Sequence, residues 1–228
     1  MYSIHMYSLR GGLKRLVVEL AQRVNPAVGR QVTAVVVDGS EYRVDGEAFS
    51  DLVLAVPGDD VLKIDGIRDL LEPADQEFFE TCRYGRALSI TFQANREVDR
   101  CYALAIPRVE RMRAATVVFH DFINPENVRA GRRQITVIGG GDAVTADDLV
   151  ADFARIYGMT PEKCEVQEWN AAMPKFPPGR YRDLAGFLSR VRRSGLHFCG
   201  DYMMGPFIEA AVTTGERVAN LLTTSEPE

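Results

Sequence analysis

The stretch GLHFCGDYMMGPFIEAAVTTGERVANLL, residues Gly195–Leu222, lies close to the end of the 228-residue sequence. A short apolar strand runs into Gly200-Asp201. A Gly205-Pro206 bend follows, and then a helix that opens on small residues near Ile208. Glycine at the bend lets a backbone come close to a bound group. The first amides of a helix have no intrahelical acceptor and stand at the positive end of the helix dipole. Gly205 and the amides of Ile208, Glu209 and Ala210 are therefore candidates to face an electron-rich ligand, and an ordinary helix-start bend is the other reading of Gly205-Pro206. Asp201 stands too far ahead of the helix to cap it. It reads as a polar ligand contact or as a surface turn residue.

Outward from this segment, the chain alternates short strands and helices. Gly11-Gly12 opens a first helix whose Leu13, Leu16, Val17, Leu20, Ala21 and Val24 share one face, and Asn25-Pro26 stops it. Three strands follow: Gln31 to Val37, Glu41 to Val44 and Asp51 to Val56. Asp38-Gly39 and Asp45-Gly46 supply the turns. DLVLAV, the last strand, is apolar on both faces and is expected to be buried on both. Further on, EPADQEFFETC reads as a helix with Pro73 in its first turn. ALSITFQA, RCYALAIP, ATVVFHDF, RRQITVIGGG and EKCEVQEW read as strands. TADDLVADFARIYG and YRDLAGFLSRVRR read as helices. The charged tail TTSEPE is expected to fray.

ITVIGGGDAVTADDLVADF has the strand-glycine-helix layout of a dinucleotide fingerprint. Gly139 and Gly141 fit the G-x-G-x-x-G pattern, but its third glycine position holds Val144, where a side chain obstructs close helix-strand packing. Thr145 and Asp148 form a capping pair, so the helix starts near Ala146, too late to place its amides directly after the turn. The segment reads as a strand exit and a capped surface helix.

Composition narrows the classes. Hydrophobic residues make 46% and charged residues 26% of the chain, which is ordinary for a globular protein. A net charge of -5 gives no basis for nucleic-acid binding. Cys82, Cys101, Cys164 and Cys199 form no C-x-x-C pair and lie far in sequence from the histidines, so no metal site is expected. No apolar run reaches the roughly 20 residues of a transmembrane helix, and Arg10 and Lys14 interrupt any secretory signal. The expectation is a cytoplasmic protein with reduced thiols.

Four segments, in order, resemble the C-terminal half of the FAD-dependent amine oxidase, protoporphyrinogen oxidase and phytoene desaturase superfamily. LRGGLKRLVVELAQRV resembles its G-G-x-x-x-L helix beside the flavin. QVTAVVVDGSEYRV with FSDLVLAVP resembles its hairpin and buried return strand. VQEWNAAMPKFPPGRY resembles its W-x-x-A-x-P-x-[YF]-x-x-G segment. The closing stretch resembles its flavin motif, G-D followed by G-x-x-x-E-x-A and S/T-G.

The resemblance implies an α+β fold with a mixed-sheet substrate domain at residues 64–193. Residues 1–63 and 194–228 would form an incomplete, discontinuous FAD-binding portion. It implies hydride transfer to FAD from a C–N or C–C bond of a small hydrophobic or amine substrate, with the flavin carrying the chemistry. Gly11, Gly12, Trp169, Gly200, Asp201, Gly205, Ile208, Glu209 and Ala210 would border the cofactor, and Val32 would meet its adenine side through the backbone. Trp169 equally fits a core aromatic. His120 and Tyr102 lie in the region that would face substrate, and a structural histidine is the other reading. Lys175, one residue after Pro174, is not assigned as a flavin-N5 lysine.

The departure from the family is the N-terminal Rossmann glycine fingerprint, which has no counterpart here. The expectation is a truncated or split flavoenzyme chain whose site a Rossmann-bearing partner chain completes. The edge of DLVLAV, left unpaired, calls for such a partner or for self-association. The alternative is a flavin-free relic that binds a hydrophobic ligand or a partner.

Overall fold

The computed structural model describes residues 9–94, 101–123, 125, 132–191 and 195–224. Residues 1–8, the Arg192-Arg193 pair and residues 225–228 of the tail lie outside them. The architecture is α+β, with helices and three sheets. It divides into two compact units, Met1–Val28 with Arg86–Asn170, and Gly29–Gly85 with Ala171–Glu228.

In the first unit, α1 (Lys14–Val24) ends at Asn25, whose left-handed backbone turns its amide onto the Ala21 carbonyl at 2.9 Å. The spacing that predicts an apolar face holds, but no residue of α1 is buried: Val17 is 67% and Val24 70% exposed. The apolar residues share one face as read, and no described residue covers it.

The rest of this unit is built on a five-stranded sheet in the order β6-β7-β8-β5-β9. These strands are β5 (Tyr84–Ala94), β6 (Ala103–Ala105), β7 (Ala114–Phe119), β8 (Arg133–Gly140) and β9 (Glu165–Pro174). Residues Ile90, Phe92, Val117, Phe119, Ile135 and Val137 alternate onto one face and are buried against Leu149 and Phe153 of α4 (Ala146–Tyr157). Thr145 and Asp148 form the expected capping box, and Gly158 ends α4 in a left-handed conformation. Val144 is buried in this core, and a Cβ on Gly139 would lie 2.7 Å from Leu149. The glycine cluster thus packs under α4 as a strand exit.

The second unit holds an antiparallel meander, β1 (Val35–Asp38), β2 (Glu41–Val44) and β3 (Glu47–Phe49). The third strand is a short addition to the expected hairpin. A parallel pair, β4 (Leu52–Leu54) and β10 (Leu196–Phe198), stands apart from it. In β4 Leu54 is buried and Val53 is 39% exposed, so the return strand is covered on one face only, contrary to its two-sided apolar pattern.

Two helices expected with the middle of the chain, α2 (Pro73–Glu80) and α5 (Arg180–Arg190), pack in this unit. Aromatic contacts hold them there. Phe78 stacks on Phe187 at 4.4 Å, and Phe79 meets Phe187 and Phe198 edge-on or tilted. Arg180 is buried beside them. It donates to the Phe78 carbonyl, the Thr81 hydroxyl and the Cys82 sulfur, and lies 3.9 Å over the Phe78 ring.

One glycine fixes how β1 enters this unit. Val35 and Asp65 are joined by a 2.8 Å backbone hydrogen bond, and Gly66 follows at φ +84°. A Cβ there would lie 2.0 Å from the Val35 carbonyl oxygen, whereas at Gly39, also at positive φ, it would meet nothing. Gly39→Ala is expected to cost about 1 kcal/mol of stability, the left-handed penalty alone. Gly66→Ala is expected to cost at least about 3 kcal/mol, because the clash is with backbone. Denaturant unfolding of both variants measures the difference.

Candidate functional site

The closing segment of the second unit is built as the sequence lays it out. β10 ends at Phe198, and Gly200 follows with φ 143°. A single 3-10 turn covers Asp201–Met203, and α6 runs over Ile208–Thr224. Thr214, nearly two turns into α6 and almost fully buried, staples the two parts together. Its hydroxyl accepts the Gly200 amide at 2.9 Å and donates within reach of the Ala210 carbonyl at 2.8 Å. The hydroxyl also lies 3.2 Å from the Gly200 carbonyl. The strand exit is therefore held rigidly against the helix.

Asp201 has a partner that sequence reasoning missed. The Tyr84 hydroxyl donates to its Oδ1 at 3.2 Å and accepts the Gly58 amide at 3.0 Å. Burial pushes the Tyr84 phenol well above its ordinary range, so it stays protonated. Gly58 is held in place by its packing, since a Cβ would lie 2.9 Å from both the Cys82 sulfur and the Tyr202 ring.

At the start of α6, Phe207, Ile208 and Glu209 are exposed, and the amides of Ile208 and Glu209 have no intrahelical acceptor. Ala210 is fully buried and its amide donates to the Phe207 carbonyl at 3.1 Å. Gly205 is buried, and a Cβ on it would lie 2.4 Å from the edge of the Phe207 ring. Ile208 and Glu209 are thus exposed, Gly200 and Asp201 half-buried, and Gly205 buried. Val32 precedes β1 and is 38% exposed.

The remaining candidates lie in the first unit. Gly11 and Gly12 both take φ +86° ahead of α1 and are reserved for glycine on that account. The face of the five-stranded sheet opposite α4 carries a hydrogen-bonded row. Thr91 and Thr136 face each other in register, their hydroxyls 2.8 Å apart, and Thr136 also meets His120 Nε2 at 2.8 Å. Burial lowers the His120 pKa, and nearby Asp121 opposes that only in part. Asp121 is itself paired with Arg133. The imidazole is therefore a neutral hydrogen-bonding group.

Tyr102 stands opposite Phe119, and strand alternation turns it to the Phe119 side, away from this row. Trp169 belongs to the row's side. Its neighbour Glu168 pairs with Arg86, whose guanidinium also reaches the Val144 carbonyl beneath α4, so Trp169 projects from the other face and is 44% exposed. Thr91 also borders a polar cleft of about 350 Å³ with Gln93, Gln134, Arg132 and Lys163. Among the described residues no group of histidine, cysteine and carboxylate side chains could hold a metal ion, and no helix is long and apolar enough to cross a membrane.

Neither a protein-family model nor a curated protein matches this sequence. Solved structures do match. A candidate protoporphyrinogen oxidase from Exiguobacterium sp. 255-15 aligns with a TM-score of 0.79 and 14% identity over 96% of this chain and 52% of its own. A cofactor-binding redesign of putrescine oxidase aligns at 0.72 and 16% identity, over 94% and 53%. Reduced UDP-galactopyranose mutase aligns at 0.72 and 15% identity, over 96% and 52%. The fold is shared with these enzymes. At such identities the likeness is one of fold, and this chain spans about half the length of each.

The neutral state of His120 has a measurable consequence. Its folded pKa lies below the ordinary imidazole value of 6.5, so below pH 6.5 the unfolded chain binds more protons than the folded one. Stability is complete above pH 6.5 and falls as pH drops through the folded pKa. His120→Gln is expected to flatten that acid-side loss, read as the difference in unfolding free energy on either side of pH 6.5.

Proposed function

We propose that this chain forms the isoalloxazine side of a flavin-dependent oxidoreductase, and that a Rossmann-bearing polypeptide supplies the pyrophosphate grip. The observation that carries this reading is the closing segment. Thr214 and Tyr84 fix the Gly200-Asp201 turn, while the open first turn of α6 faces nothing in the described chain. A site so rigidly held and so exposed fits an extended, electron-rich ligand. The names of the enzymes that share the fold, two oxidases and a mutase studied in its reduced state, support a redox cofactor.

The residues present fit one end of FAD. The amides of Ile208 and Glu209 suit the electron-rich pyrimidine edge, Gly205 lets that edge approach, and the second carboxylate oxygen of Asp201 suits a ribityl hydroxyl. For the pyrophosphate, no described segment carries a complete G-x-G-x-x-G turn between a strand and a helix. When bound, FAD would supply the hydride acceptor. This chain's own residues bind and orient. By itself, the first unit offers a neutral row, Thr91, Thr136 and His120, to a polar group of a ligand. A flavin-free binding protein is the second reading, favoured by the lack of such a turn among the described residues.

A partner is called for on physical grounds. An isolated helix of 11 residues is marginal in water, and α1 exposes Leu13, Leu16, Val17, Leu20 and Val24 together. The paired variant Val17→Glu/Val24→Glu should leave the unfolding transition of the lone chain unchanged. It should abolish co-purification with a Rossmann-bearing partner.

Colour is the direct test. The chain alone should be colourless, and the complex with its partner yellow. In the complex, Gly205→Val should abolish flavin incorporation, and Asp201→Ala should weaken it by about 1–3 kcal/mol. Flavin absorbance per mole of folded complex is the measurement. Full occupancy in both variants, or stoichiometric FAD on the lone chain, would overturn the reading.

A further inference from the structure

We propose that Tyr84 is a positioning residue that presents Asp201 to the cofactor; the proposal rests on the flavin reading of the closing segment. The three groups involved come from distant parts of the chain. Gly58 follows β4, Tyr84 opens β5, and Asp201 follows β10, 117 residues beyond Tyr84.

Chemistry fixes the direction of both hydrogen bonds. The Gly58 amide can only donate, so the phenol oxygen accepts there. The phenol has one proton, and an ionised carboxylate can only accept, so that proton goes to Asp201 Oδ1. Burial keeps the phenol protonated, which makes the arrangement permanent across the ordinary pH range. Gly58 cannot drift, because Cys82 and Tyr202 close around it. Gly200, next to Asp201, is held by Thr214. Asp201 is thereby fixed through its backbone on one side and through Oδ1 on the other. Oδ2 remains as the acceptor for a ligand hydroxyl, at an orientation set before the ligand arrives. Preorganisation of this kind removes an ordering cost from binding.

A double-mutant cycle tests the role, because a residue acting through another loses its effect when that other is gone. FAD affinity of the assembled complex is measured by flavin fluorescence for the parent, Tyr84→Phe, Asp201→Ala and the double variant. Tyr84→Phe keeps the ring and removes only the hydroxyl. It should weaken FAD about tenfold in the parent and less than about twofold in the Asp201→Ala background. Equal losses in both backgrounds would overturn the proposal and make Tyr84 a purely structural residue. The same cycle on chemical unfolding of the flavin-free chain separates the two levels. Coupling there without any FAD binding in the parent complex would sink the flavin reading while keeping the Tyr84–Asp201 link. Additivity there would sink the link itself.

Discussion

The second unit hangs on the ring of Phe79. It meets Phe78 at 5.2 Å, Phe187 at 5.1 Å, Phe198 at 5.2 Å and Tyr202 at 6.0 Å. Those partners belong to α2, α5, β10 and the turn at Asp201–Met203. Each such pair contributes about 0.5–1.5 kcal/mol beyond the area it buries, but the geometry matters more than the sum. With Phe79 in place, Tyr202 can lie only where Gly58 and Gly200 lack side chains. The position of the Gly-Asp turn is thus inherited from a core contact on the far side of Tyr202.

Local signals in the sequence carried a long way. The Thr145-Asp148 cap, the Gly158 stop, the start of α6 at Ile208 and the strand pattern of the large sheet all depend on neighbours within a few residues. Three features were beyond such reading. Tyr84 meets Asp201 across 117 residues, and no periodicity announces a pair of that separation. The hydroxyl of Thr214 sits within the closing motif, yet its bond to the Gly200 amide exists only after the helix folds back. Patterns in α1 and β4 mark apolar residues, but a pattern cannot say what covers them, and Val53 and Val24 are exposed among the described residues.

The five-stranded sheet separates two tasks by strand alternation. One face is closed with Phe92, Val117, Ile135 and Val137 beneath α4 and gives the first unit its stability. The other carries hydroxyls, a neutral histidine and Trp169, with Arg132, Glu162, Lys163 and Glu165 around the cleft beside Thr91. Substitutions on the second face therefore leave the hydrophobic core intact.

Arg180 illustrates a different economy of charge. It is 97% removed from solvent in effect, being only 3% exposed, and it carries its cation into the core. Its partners are a carbonyl, a hydroxyl, a thiol and an aromatic face. None of these gains or loses charge near neutrality, since burial also raises the pKa of the Cys82 thiol. Nothing in that set depends on an ionised acid, and a buried contact of this kind is only weakly screened by salt. The Arg180 part of the contact between α2 and α5 is accordingly indifferent to acidity and ionic strength, whereas the Arg190–Asp75 pair at 2.8 Å joins the same two helices through a buried carboxylate.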